Sequence, residues 1–121
     1  MKARVITLAN QKGGVGKTTS TLNLAVALKR MGYKVLAIDS DPQSNLTSYF
    51  GVDQPKRTLD EIYLSKRPWD DAAVAELISP TESGVDLIAS EGGLSGIDYF
   101  LMSRPDREVV LSRFMDRIRD R

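Results

Sequence analysis

Apolar residues in this chain fall into two kinds of run. Short, nearly continuous ones occupy Arg4 to Ala9, Lys34 to Ile38 and Val85 to Ala89, the last preceded by the turn residues Ser83 and Gly84. Runs of this length and continuity between turn residues are the pattern of strands buried on both faces. Helical spacing takes over from about Thr18 to Met31, with Thr21, Leu24, Ala25, Leu28 and Met31 on one face and Gly32 at the C′ position. Strand, helix and strand joined by short turns make a βαβ unit, which implies a parallel sheet.

The rest of the chain gives a thinner pattern. Leu46 to Phe50 reads as a short helix closed by Gly51, and Thr58-Leu59-Asp60-Glu61 as a capping box that turns Leu59, Ile62 and Tyr63 inward. Lys66 to Trp69 reads as a loop, with Trp69 as a packing anchor and not a base-stacking platform. Asp71 to Ile78 is expected to be helical. Glu91-Gly92-Gly93 is a turn, and with no lysine after it the Gly pair is punctuation, not a second phosphate loop. Ser103 to Arg121 is expected to form a helix with Ser103 as N-cap, Pro105 in its first turn, and Asp106 and Glu108 favouring its dipole. Val110, Phe114 and Ile118 form its apolar stripe. Its arginines alternate with Asp106, Glu108, Asp116 and Asp120, the pattern of a solvated face and not of a DNA-contacting one.

Composition narrows the chemistry. A chain of 121 residues, 41% hydrophobic and 27% charged, suits one small globular domain. The net charge of +1 points to no particular partner. With no cysteine and no histidine, disulfides, cysteine-ligated clusters, zinc sites and His-based triads are excluded within these residues. No apolar run approaches membrane-spanning length, and nothing resembles a secretory leader, so a cytoplasmic setting without membrane attachment is the default expectation.

The chemistry-bearing stretch is Ala9 to Thr19, A-N-Q-K-G-G-V-G-K-T-T, between the first strand and the first helix. Gly13, Gly14 and Gly16 lack a Cβ, so backbone N–H groups can approach phosphate oxygens. The helix start adds its own donors and a partial positive charge. Lys17 is placed to reach terminal phosphates, and Thr18 offers a hydroxyl to Mg²⁺. Gln11 stands where the ordinary pattern G-x-x-x-x-G-K-[ST] has its first glycine, and Lys12 adds a second lysine. Two such charges in one loop call for a strong anion between them, and a polyphosphate is the natural candidate. Downstream, I-D-S-D-P-Q-S-N at the end of the second strand carries Asp39 and Asp41 toward the same side of the sheet, where open α/β folds bind ligands. The same acids with Asn45 are also of the type that caps a turn or short helix.

K-G-G-V-G-K-T-T followed by D-x-D-P-Q-x-N resembles the ParA/MinD family of P-loop ATPases, with its deviant Walker A motif, and most closely its ParA/Soj branch. The resemblance implies an α/β fold, a P-loop NTPase three-layer sandwich with a mostly parallel sheet. It implies MgATP contacts from Gly13, Gly14, Val15, Gly16, Lys17, Thr18 and Thr19, and a Mg²⁺ shell drawn from Thr18 and Asp39. It further implies that Lys12 reaches nucleotide across a dimer interface and that Asp41 positions or polarises the attacking water. The family's partners would be a second copy on ATP binding, DNA without sequence preference, and a ParB-like protein that stimulates hydrolysis, in the cytoplasm and on the nucleoid. A regulatory ATP switch and a MinD-like positioning ATPase are the alternatives, although the acids of the last helix make it a poor membrane anchor. Specific motifs carry the resemblance from Arg4 to about Asp53; beyond that it rests on element order.

After Ser90 no apolar run ends in Asp, as a Walker B strand would. Residues 1–121 are therefore expected to be the N-terminal part of a single P-loop ATPase domain. That part would have the phosphate loop and switch segment but not Walker B, the adenine contacts or the DNA surface, and the fold would be incomplete.

Overall fold

A computed structural model describes residues 2–8, 16–40, 44–52, 55, 57–64, 69–90 and 110–120. Eight elements follow in order: α1 (Lys17–Arg30), β1 (Leu36–Ile38), α2 (Asn45–Tyr49), α3 (Asp60–Leu64), α4 (Asp71–Leu77), β2 (Ser79–Pro80), β3 (Asp86–Ile88) and α5 (Val110–Ile118). β3 lies between the other two strands. It pairs in parallel with β1, Ala37 opposite Leu87, and antiparallel with β2, Ser79 opposite Leu87. The parallel ladder runs past both ends of β1, through Asp86 N–H to Val35 O (3.1 Å) and Asp39 N–H to Ile88 O (3.0 Å).

The alternation of side chains along β1 and β3 sorts the core into two layers. On one face Ala37, Val85, Leu87 and Ala89 pack with Ala25, Leu22 and Val26 of α1 and with Leu46 and Phe50. On the other, Leu36, Ile38 and Ile88 meet Leu59, Ile62, Val74, Leu77, Phe114 and Ile118. Helices thus cover both faces of the sheet, the three-layer α/β arrangement expected from the sequence. The sheet is mixed because β2 adds an antiparallel edge. Pro80 is tolerated there because an edge residue needs no inward N–H.

Local chemistry explains where the elements stop. After α1 the chain reverses at Gly32, whose φ of 95° is the left-handed region that other residues avoid. Gly32 N–H donates to Lys29 O at 3.0 Å and Tyr33 N–H to Leu28 O at 3.2 Å, the paired bonds of a Schellman cap. Asp70 caps α4 by accepting from Ala73 N–H at 2.8 Å. α3 begins where Leu59 N–H reaches Ala89 O at 2.7 Å, which fixes it to the end of β3, and the Thr58 hydroxyl donates to Asp60.

Two expectations need correction. Residues 2–8 form no strand, and Val5 and Ile6 are 45% and 54% exposed. A buried parallel strand needs neighbours on both sides, and no described strand flanks this segment. Instead Ala3 exchanges bonds with the last helical turn: its N–H donates to Arg119 O (2.8 Å) and its carbonyl accepts from Arg119 Nε (2.9 Å). The buried face of α1 is also turned from the expected one. Ala25 is inside with Leu22 and Val26, while Leu24 and Met31 are 37% and 69% exposed. Apolar residues surround most of that helix, so periodicity alone left the face ambiguous.

Trp69 packs edge-on against Phe114, ring centroids 5.4 Å apart and planes at 83°, so it is the packing anchor that was expected. Arg117 pairs with Asp71 and Arg119 with Asp116, as on a solvated helix face. Arg57 bridges Glu61 and Glu76 between α3 and α4, and at this exposure the pairs contribute at most about 1 kcal/mol. The proposed start of the last helix, Ser103 to Glu108, and the Gly92–Gly93 turn lie outside the described residues.

Phe114→Ala should lower stability by about 3–5 kcal/mol, since it empties a buried aromatic site and removes the ring contact. Urea unfolding followed by the fluorescence of Trp69, the single tryptophan, measures this. A loss below about 1 kcal/mol would mean that α5 is not part of the core.

Candidate nucleotide site

α1 begins on Gly16, in the left-handed conformation (φ 81°, ψ 10°) that glycine adopts without a Cβ penalty. The Gly16 carbonyl accepts the first helical bond, from Ser20 N–H at 2.8 Å. Glycine brings no capping side chain, and the first turn, Lys17 to Ser20, contains no acid. Where most helices place a carboxylate or hydroxyl cap, this one offers backbone donors, a dipole end and a lysine. Lys17 and Thr18 are half-buried and Thr19 is exposed. Thr21 turns back to Lys17 O at 2.8 Å and is thereby committed to the helix.

The reversal at Gly32 packs α1 antiparallel to β1, so the Gly16 end of the helix lies on the side toward which β1 runs. Asp39 follows β1 on that side and is only 2% exposed. Its Oδ2 accepts from Thr47 N–H (2.9 Å) and from the Thr47 hydroxyl (2.6 Å). The Thr47 hydroxyl in turn accepts Ser90 N–H at 2.9 Å. One buried network therefore ties the ends of β1 and β3 to α2. The capping reading of Asp39 holds: it serves the third residue of α2 from eight residues upstream. Ser44, in the N-cap position itself, adopts φ 59° and makes no cap bond.

Of the residues assigned from sequence, Gly16, Lys17, Thr18 and Thr19 sit together at the start of α1, and Asp39 lies at the end of the adjoining strand. Lys12, Gly13, Gly14, Val15 and Asp41 lie outside the described residues. Thr47 and Ser90 were not found from sequence. Thr47 lies between Leu46 and Phe50 in a helix read only for its apolar residues, and a buried hydroxyl leaves no periodic trace.

Among the described residues no three acids gather as a metal site. Thr18 and Asp39 are hard oxygen donors, the type Mg²⁺ takes when it is shared between one or two protein groups and phosphate oxygens and not held in an all-protein cage. No helix among the described residues is long and apolar enough to cross a membrane.

A glycine-started helix on a layered α/β sheet, beside a strand-end carboxylate, is the arrangement of an α/β P-loop NTPase-type fold. The family model described as an AAA domain matches residues 3–121, and the chain belongs to that family. Over 118 residues it is 39% identical to the chromosome partitioning protein ParA of Caulobacter vibrioides, a match covering 96% of this chain and 43% of that protein. It is 35% identical to the sporulation initiation inhibitor protein Soj of Bacillus subtilis, covering 96% and 45% respectively. A crystal structure of cobyrinic acid a,c-diamide synthase from Mycobacterium smegmatis, bound to an ATP analogue and magnesium, superposes with a TM-score of 0.84 at 32% identity, over 96% of this chain and 46% of that one. The likeness is thus to the N-terminal portion of ParA/Soj-like proteins, and the chain spans less than half the length of each.

Asp39→Ala should lower stability by roughly 1–3 kcal/mol, because two buried Thr47 donors lose their acceptor, and Asp39→Asn should cost less. Thermal unfolding followed by circular dichroism tests this, and an unchanged midpoint would mean that the carboxylate does not hold α2.

Proposed function

We propose that residues 1–121 form the N-terminal part of a single ParA-like P-loop ATPase domain, contributing the phosphate loop and switch segment to an enzyme that couples ATP turnover to DNA partition. The observation that carries this reading is the start of α1: glycine, lysine and threonine with no acid in the first turn, on the side of the sheet where Asp39 emerges. The relatives named for chromosome partitioning support it, as does the likeness to a structure holding an ATP analogue and magnesium.

In this reading Gly13, Gly14, Val15 and Gly16 turn backbone N–H groups toward the phosphates, and Thr18 and Thr19 complete the cradle. Lys17 neutralises the terminal phosphates. Thr18 and Asp39 would hold Mg²⁺, which when bound draws charge from the transferred phosphoryl group. Asp41 orients the attacking water. Lys12 reaches the nucleotide of a second subunit, so ATP favours a homodimer. That dimer binds DNA without sequence preference, through a surface outside these residues, and a ParB-like partner accelerates hydrolysis and release.

Lys17→Ala should abolish measurable nucleotide binding by calorimetry. Loss of one charge-assisted contact costs ~1.5–3 kcal/mol, tenfold or more in affinity. Unchanged affinity would refute the phosphate-loop assignment.

Asp41→Ala, in a catalytically complete protein, should retain ATP binding, lose turnover and accumulate the ATP-bound dimer. Hydrolysis at the parental rate would remove Asp41 from the reaction.

A further inference from the structure

The two ends of the segment that bears Asp41 are held by one side chain. Asp39 and Thr47 flank it, and Oδ2 of the first takes both donors of the second. The Thr47 hydroxyl has a single proton. An ionised Asp39 can only accept and the Ser90 N–H can only donate, so the direction of both bonds is fixed and the hydroxyl has no rotational freedom left. A carboxylate is planar, so pinning Oδ2 with two donors also sets the direction of its other oxygen. The Asp39 backbone is anchored separately, through its N–H to Ile88 O at 3.0 Å. All three residues of the network are buried.

Ser44 gives the second observation. It stands where an N-cap serine normally satisfies the helix, yet it is the one described non-glycine residue with positive φ, at 59°. Its hydroxyl is buried with no partner among the described residues. The segment accepts an uncomfortable backbone and an unsatisfied hydroxyl while the bond from Asp39 to Thr47 is kept. The long-range bond, and not a local cap from Ser44, meets the Thr47 N–H at the start of α2.

We propose that Thr47 is the positioning residue of this site: through Asp39 and Ser90 it sets the carboxylate that would face Mg²⁺ and ties the start of α2 to the end of β3. This rests on the nucleotide reading above. It makes Thr47 act through Asp39 and not on the ligand, so its effect should appear in the response to magnesium and not in the metal-free affinity for nucleotide.

The test titrates magnesium against the chain with a fluorescent ATP analogue bound, and measures the analogue's affinity separately in excess EDTA. Thr47→Val keeps the shape and the backbone bond to Asp39 but removes both hydroxyl bonds; Thr47→Ser keeps both. In Thr47→Val the magnesium required for half-maximal effect should rise about tenfold or more, as when a residue that orients a metal ligand is lost. Affinity in EDTA should stay within about twofold, and Thr47→Ser should behave as the parent. An unaltered magnesium response in folded Thr47→Val overturns the proposal. Should that variant not fold, amide hydrogen exchange on the parent chain decides. Adding magnesium to the analogue complex should slow exchange at both Thr47 and Ser90, and no change at either overturns the proposal. Inorganic triphosphate, which needs only the phosphate loop, is run beside the analogue: a parent chain that binds neither overturns the nucleotide reading and this proposal together, whereas binding with an indifferent Thr47 overturns this one alone.

Discussion

Removing a carboxylate from water costs several kcal/mol unless hydrogen bonds replace the lost solvent. Asp39 meets that condition with donors that include the N–H and the hydroxyl of Thr47, and the rest of the site depends on it. The bond from its Oδ2 sets the start of α2, and through the Thr47 hydroxyl it sets where β3 ends relative to β1. Leu59, whose N–H is held by Ala89 next to Ser90, brings the opposite helical layer to the same strand end. Packing alone places layers to within a rotamer; this network fixes their register at the end of the sheet where ligands bind.

The elements that could be read from the sequence are those whose signals are local. Gly32 after an apolar helix, Gly51 after a shorter one and Ser83-Gly84 before a short apolar run each give their boundary through chemistry within a few residues. The start of α1 was legible for the same reason, since Gly16 before Lys17 and an apolar helical pattern marks a helix start without tertiary context. What could not be read is what depends on neighbours. Val5 to Leu8 has the composition of a central strand, but composition does not supply the strands that must flank it. Ser79 and Pro80 make a strand too short to carry a period, with a residue that usually argues against one. Thr47 and Ser90 owe their roles to partners far away in the chain.

The fold is shared more widely than any one task. It superposes on a protein named for diamide synthesis as readily as its sequence aligns with proteins named for chromosome partitioning. What these have in common is the fold, and specificity for a task has to be read from residues that differ among them.

β3 holds a place in the sheet that its place in the chain makes costly. Among the described residues both β1 and β2 pair with it and not with each other, and it follows both in sequence. The Ser90 bond to Thr47 spans 43 residues. A chain emerging from the ribosome would therefore carry α1, with the apolar Ala25 face uncovered, and an unpaired β1 edge until β3 had been made. Loop-closure entropy must be met before the β1–β3 pairing rewards it, whereas β2 and β3 pair across the short connection 81–85, so the β1 edge is covered late. Helices are thus the first structure this polypeptide can hold during synthesis, and the interval before β3 appears is when an exposed strand is most open to a chaperone or to the wrong neighbour.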